Sequence, residues 1–244
     1  MEVVKIIVLV AFLFFSGRLL LYILQKRVSA EEARFIQKKY FGWIFVSLFF
    51  VFLIILPRGI SKVEYFILTC IGYWQVATTV KEKINRAPLK IFVLTSILLA
   101  STMAFFYINI GTKYLFAVIL GSVFSDISAY SFSKLSKNKH FLPQYINKNK
   151  TLEGIVGGAF GPFAILPLLL VMGYNFKLSN ALILVAVIGI SSNLGDLLNS
   201  IIKRLLAIKD WGETFPGHGG IFDRFISFYM SYTVVSILFI QSLL

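Results

Sequence analysis

The sequence predicts an all-α integral membrane fold with about eight transmembrane helices, on three observations. Of 244 residues, 58% are hydrophobic and only 14% are charged, where a soluble domain carries about a quarter charged residues. Mean hydropathy is +0.83, and the apolar residues gather into runs near the roughly 20 residues that one helical crossing needs. The basic residues fall between those runs in alternation, as topology-setting charges do. A soluble core of this size could not cover so many apolar runs. The net charge of +13 then reads as loop charge meeting anionic lipid headgroups, and nucleic acid is not expected as a partner.

The first run, Val3–Leu24, has the length of a leader peptide. Its start is nearly neutral, Glu2 against Lys5, and Lys26-Arg27 parts it from Val28-Ser29-Ala30, so it is expected to stay as the first span. Phe41–Leu56 and Tyr65–Val80 follow, both short for a bilayer and separated by Pro57-Arg58-Gly59. Ile91–Ile110 begins after Ala87-Pro88, and Tyr114–Phe132 after Gly111-Thr112-Lys113. Asn175-Phe176-Lys177 parts Ile155–Tyr174 from Ala181–Ser200, and the last run is Ile226–Leu244. These breaks are helix-ending chemistry. The odd-numbered loops carry 18 Lys and Arg, and the even loops with the N-terminus carry 5. The positive-inside rule puts the odd loops in the cytoplasm and both termini outside. Residues 1–112 form an N-terminal set of transmembrane helices, and residues 113–244 a C-terminal region in which the chemistry-bearing residues gather. Cys70, the one cysteine, lies in an apolar run and makes neither an intrachain disulfide nor a metal cluster.

Four aspartates stand out: Asp126, Asp196, Asp210 and Asp223. The span layout puts all four at the cytoplasmic face of the C-terminal half. An ionisable side chain inside a span is costly and marks a functional site by default. Asp126 and Asp196 either pair with Lys or Arg to lock helices together, or belong to a site where carboxylates hold divalent ions and the ions hold phosphates. Asp196, Ser200 and Lys203 stand at i, i+4 and i+7, so a carboxylate, a hydroxyl and an ammonium line one helical face. Pro216-Gly217-His218-Gly219-Gly220 is too glycine-rich for helix. It is either an ordinary turn back into the membrane or a loop that brings backbone amides to a phosphate. Ion coupling in a transporter fits less well, because the acids sit at one face rather than at the midplane.

These residues carry a resemblance. Gly195-Asp196-Leu197, Ser200-Ile-Ile-Lys203-Arg204, Lys209-Asp210 and Pro216-Gly217-His218-Gly219-Gly220-Ile-Phe-Asp223-Arg224 resemble the signature of the phosphatidate cytidylyltransferases, or CDP-diacylglycerol synthases. A second block is similar in character: Asp126-Ile-Ser-Ala129-Tyr130, Lys134, Pro143, Lys150-Thr151, Glu153-Gly154 and Gly157-Gly158. Together they cover roughly residues 122–227; the N-terminal half matches only as generic apolar spans. Two positions depart from the family. Ile226 stands where a further aspartate is usual, and Asn149 stands where the family has a proline before the Lys-Thr pair.

The resemblance implies a membrane nucleotidyltransferase of phospholipid biosynthesis. CTP and phosphatidic acid would be its substrates, Mg²⁺ its ion and the bilayer its setting, at the cytoplasmic face of a bacterial inner membrane. A homodimer is compatible with it. The implied catalytic residues are Asp196, Lys203, Arg204, Asp223 and Arg224, with Asp196, Asp223 and Asp126 as metal ligands. Ser200, Lys209, His218, Gly219, Gly220, Lys150, Thr151 and Tyr130 would contact substrate. The alternatives are a CTP-dependent lipid or polyprenol kinase that moves the γ-phosphate, and a catalytically silent relative in which Ile226 has removed a needed carboxylate. With one acid fewer, the expectation is slow turnover or a high Mg²⁺ demand, relieved by Ile226→Asp.

Overall fold

The computed structural model describes residues 4–8, 10, 11, 15, 18, 22, 34, 44, 46–80, 88–135, 150–212, 214 and 219–243. Its helices are Val46–Ile55 (α1), Arg58–Val80 (α2), Pro88–Tyr107 (α3), Gly111–Leu135 (α4), Leu152–Phe160 (α5), Leu166–Met172 (α6), Leu178–Leu205 (α7) and Ile221–Ile240 (α8), with a 3-10 turn at Gly161–Ile165 between α5 and α6. No strand occurs among the described residues. Four stretches are long and apolar enough to cross a membrane: Gly111–Ser133, Leu152–Met172, Leu178–Leu205 and Ile221–Ile240. Val46–Ile55 and Ile91–Tyr107 are shorter apolar helices, and α2, which contains the expected third span, is more polar. The chain is a polytopic integral membrane protein. Most of the expected first span, much of the basic loops and His218 lie outside the described residues.

The helix ends sort into two faces. At one, Lys5 Nζ donates to the carbonyls of Val171 and Met172 at 3.2 and 3.3 Å, and Arg58 Nη2 donates to those of Phe105 and Ile108 at 2.8 and 3.0 Å. Each cation thereby satisfies carbonyls left over at a helix C-terminus. At the other face Thr79 Oγ1 donates to the Trp211 carbonyl at 2.8 Å, and Lys150 and Lys203 meet Asp196 and Asp223. This is the grouping that the loop-charge alternation predicts.

Three elements differ from the expected spans. Helix α2 begins at Arg58, directly after Pro57, rather than at Tyr65. Ile155–Tyr174 is not one smooth helix, because Pro162 and Pro167 lack the N–H that would continue the ladder. Each opens a new segment at its first turn. The last helix begins at Ile221 rather than Ile226, which brings Asp223 and Arg224 into its first turn. A carboxylate there is favoured by the N–H groups and partial positive charge of the helix start.

The glycines of the second block act through close packing. A Cβ at Gly154 would lie 1.9 Å from Ser133 Oγ, at Gly157 2.6 Å from the Phe132 ring and at Gly158 2.5 Å from Asn193 Oδ1. At Gly189 of α7 it would lie 2.1 Å from the Ala159 carbonyl oxygen. Small residues let helix backbones approach where lipid offers no hydrophobic drive between them. Here they seat α5 between α4 and α7, tied by Ser125 Oγ donating to the Gly158 carbonyl at 2.9 Å and Asn193 Nδ2 to that of Ile155 at 3.2 Å. Helix α8 packs along α7 and contacts α2, α3 and α4. Its Tyr229 and Tyr232 are fully buried around Tyr65, which stacks on Phe105 with centroids 4.1 Å apart.

Candidate functional site

The site is built on the C-terminal half of α7. This helix has 28 residues, about 42 Å at 1.5 Å per residue, against a hydrocarbon core of about 30 Å. Its last turns therefore reach headgroup level, with Lys203 and Arg204 in the final turn, where cations suit the helix C-terminus. Asp196, Asn199 and Lys203 share one face and meet two separate groups of partners.

The first group centres on Asp223, whose side chain is 2% exposed. Its Oδ1 accepts Lys203 Nζ at 2.6 Å and Asn199 Nδ2 at 3.4 Å. Its Oδ2 accepts the backbone N–H of Trp211 at 2.8 Å and of Gly220 at 3.1 Å. Asn199 Oδ1 in turn accepts the Trp211 indole N–H at 2.7 Å. Gly220, the N-cap of α8, has no side chain to accept the first-turn N–H groups, and the Asp223 carboxylate receives the N-cap's own N–H instead. Gly219 has φ +79°, a conformation that glycine adopts without penalty. A Cβ there would stand 3.0 Å from both Asp210 Oδ1 and Asp223 Oδ2. Two carboxylates thus flank this backbone, and Asp210, left out of the expected site set, belongs to it; its place beside Lys209 in the signature was the available signal.

The second group lies one to two turns deeper. Lys150 Nζ donates to Asp196 Oδ2, with the side chains 19% and 35% exposed respectively. Asp126 of α4 accepts Ser227 Oγ at 3.0 Å and lies in the electrostatic field of Asp196, Lys150 and Arg224. Lys150 is aimed by its neighbour: Thr151 is the N-cap of α5, its hydroxyl accepting the Gly154 N–H at 3.0 Å and donating to Ser133 Oγ at 3.1 Å.

The structure therefore brings together Asp126, Asp196, Lys150 and Arg224, and separately Lys203, Asp223, Gly219 and Gly220. Thr151, expected at substrate, is 2% exposed with its hydroxyl engaged in capping, and Ser200 is 8% exposed. Arg204 and Lys209 are exposed beside the site, and Tyr130 is exposed on α4. Among the described residues no three His, Cys, Asp or Glu side chains converge as a ready metal cage. Asp196, a third exposed and with the Lys150 ammonium against one oxygen, fits a hard divalent ion. Asp223 does not fit in this arrangement, because both its oxygens are occupied by four donors.

Ile226 is 1% exposed and packs in the apolar core, and α7 approaches so closely that a Cβ on Gly195 would lie 3.1 Å from the Ile226 carbonyl. The expectation that Ile226→Asp would relieve a missing acid is therefore revised, because a carboxylate here would be buried in the apolar core. Ile226→Asp is expected to cost several kcal/mol as a buried carboxylate and to lower the thermal midpoint without raising turnover. A faster variant of unchanged midpoint would overturn this.

The chain resembles named enzymes. It is 38% identical over 132 residues to a phosphatidate cytidylyltransferase of Staphylococcus saprophyticus, covering 54% of this chain and 50% of that one. It is 38% identical over 133 residues to those of Staphylococcus aureus and Staphylococcus haemolyticus, with 54% of this chain covered and 51% and 50% of theirs. The chain thus spans about half the length of the curated relatives it matches. The profile of the cytidylyltransferase family matches residues 2–242. On that match, which runs through the four aspartates and the glycine-rich loop, the chain belongs to the cytidylyltransferase family.

Proposed function

We propose that the chain catalyses CTP plus phosphatidate to CDP-diacylglycerol plus pyrophosphate, at the cytoplasmic face of a bacterial inner membrane. The observation that carries this reading is the pair of lysine–aspartate contacts, Lys150–Asp196 and Lys203–Asp223, stacked along the face of α7 that rises to headgroup level. In this reaction a phosphate oxygen of the lipid forms a bond to the α-phosphorus of CTP. The bond from that phosphorus to the bridging oxygen breaks, and pyrophosphate leaves with the electron pair. Two anions must be held together, so the protein's work is positioning and charge neutralisation. Lys150 and Lys203 can turn from their carboxylates to incoming phosphates, and the exposed Arg204 and Lys209 extend the basic surface toward water. Mg²⁺, held at Asp196 with Asp126 close by, would neutralise developing charge on phosphate oxygens. No general base is called for, since phosphatidate is already ionised at neutral pH. The catalytic region is residues 113–244, and the basic odd loops mark the cytoplasmic side.

The test is an assay of purified, detergent-solubilised protein with phosphatidate, Mg²⁺ and CTP labelled at the α- or the γ-phosphorus. Lipid labelled from the α-position supports the proposal. Lipid labelled from the γ-position would replace it with a kinase, and no labelled lipid under either condition would leave a silent relative.

A further inference from the structure

Gln75 lies in the N-terminal half, in a helix whose sequence shows only a generic span, yet it is 2% exposed and faces the signature loop. Its Oε1 accepts the backbone N–H of Phe222 at 3.2 Å, and its Nε2 donates to Thr214 Oγ1. The loop backbone is pressed against it. A Cβ on Gly220 would stand 2.7 Å from Oε1, and one on Gly212 3.3 Å from Nε2. One turn along α2, Thr79 Oγ1 holds the Trp211 carbonyl at 2.8 Å. Two side chains at i and i+4 of α2 thus grip residues 211, 214 and 222, on both sides of the glycine-rich loop. Asp223 accepts from the Trp211 and Gly220 backbone N–H groups as well. The Phe222 N–H is one of the unpaired donors of a helix start, and in an interior close to lipid it requires a partner. Gln75 supplies that partner from 147 residues away in sequence.

We infer that Gln75 is a positioning residue of the proposed nucleotidyl-transfer site, setting the spacing between residues 211–214 and the first turn of α8 and, with it, the placement of Lys203 and the Gly219–Gly220 backbone for the nucleotide. The inference rests on the proposed function for the identity of the ligand, but not for the grip itself. The amide accepts from the backbone N–H and donates to the hydroxyl at once; a carboxylate could accept from both, but only by placing an unpaired charge at a buried position, and an apolar side chain serves neither.

The experiment compares the natural protein with Gln75→Leu, Gln75→Glu and Thr214→Val by two readouts. Steady-state kinetics should show KM for CTP raised about tenfold in Gln75→Leu, in the range expected for loss of an orienting partner. KM for phosphatidate should stay within about twofold, and Gln75→Glu should fall between, since it keeps the acceptor for Phe222. Thr214→Val, at an exposed position, should raise KM for CTP less, and adding it to Gln75→Leu should have no further effect. A merely structural role would lower the active fraction and leave both KM values alone, and that result would overturn the inference. Hydrogen exchange over residues 219–225 is the second readout and needs no turnover. Gln75→Leu should speed it and Gln75→Glu should not; unchanged exchange in Gln75→Leu would refute the grip. If the natural protein transfers nothing to lipid while the exchange result holds, the proposed reaction fails and the loop-positioning role stands.

Discussion

Asp223→Asn is expected to abolish measurable turnover and to lower the thermal midpoint of the solubilised protein at the same time. The carboxylate is 2% exposed and receives four donors. An amide in its place keeps one acceptor oxygen and turns an NH₂ group toward donors that need an acceptor. It also leaves the Lys203 ammonium, 14% exposed, without its counter-charge. Removing one partner of a buried pair costs about 3–5 kcal/mol, a large part of a typical folding free energy. Adding Lys203→Met should restore part of the midpoint and none of the activity, because it relieves the stranded charge without rebuilding the cap. A single Asp223→Asn variant of normal midpoint would show that the four donors are not what holds Trp211 and Gly220 in place.

Asp196→Asn should separate the two properties. Its pairing with Lys150 is partly exposed, and such pairs contribute about 0–1 kcal/mol, so the midpoint should hardly move. Turnover should fall by about 10²- to 10³-fold, the scale for losing one electrostatic element aimed at developing phosphate charge. The loss should be greatest at limiting Mg²⁺, because a neutral amide oxygen is a poor ligand for a hard cation. A variant with near-normal rate at limiting Mg²⁺ would remove Asp196 from the site. Measured side by side, the two aspartates should report different work: Asp223 holding Trp211 and Gly220, and Asp196 serving the proposed reaction.

Hydropathy and charge made most of the helices legible, because a bilayer imposes a length and a charge asymmetry that no packing detail overrides. Helices α4 and α7 lie within a few residues of the expected spans. The start of α8 was misplaced because Asp223-Arg224 reads as a loop pair, although an acid in a first turn is ordinary start chemistry. The break inside Ile155–Tyr174 had its signal in Pro162 and Pro167. The aspartates and lysines of the site were legible as residues, but not their division into two groups, which depends on where α5 seats Lys150. Thr151 was assigned to substrate through the resemblance, as part of the Lys150-Thr151 pair. That it caps α5 depends on Gly154 and Ser133 meeting it in space. Gln75 carried no local signal at all: one amide in an apolar helix does not reveal a partner so far along the chain.

That separation has a consequence for how the protein is made. Ribosomes add roughly 5–20 residues per second, so the 147 residues between Gln75 and Phe222 take roughly 7–30 s. Throughout that interval α2 is already in or at the membrane with a polar amide whose final partners have not been synthesised. The amide must be served by water, by lipid headgroups or by the insertion machinery until the last helix arrives and takes its place. Nascent chains arrested before Thr214 would therefore carry the Gln75 amide without the partners it has in the finished fold. Completion of α8 then supplies the Phe222 N–H that the Gln75 oxygen accepts.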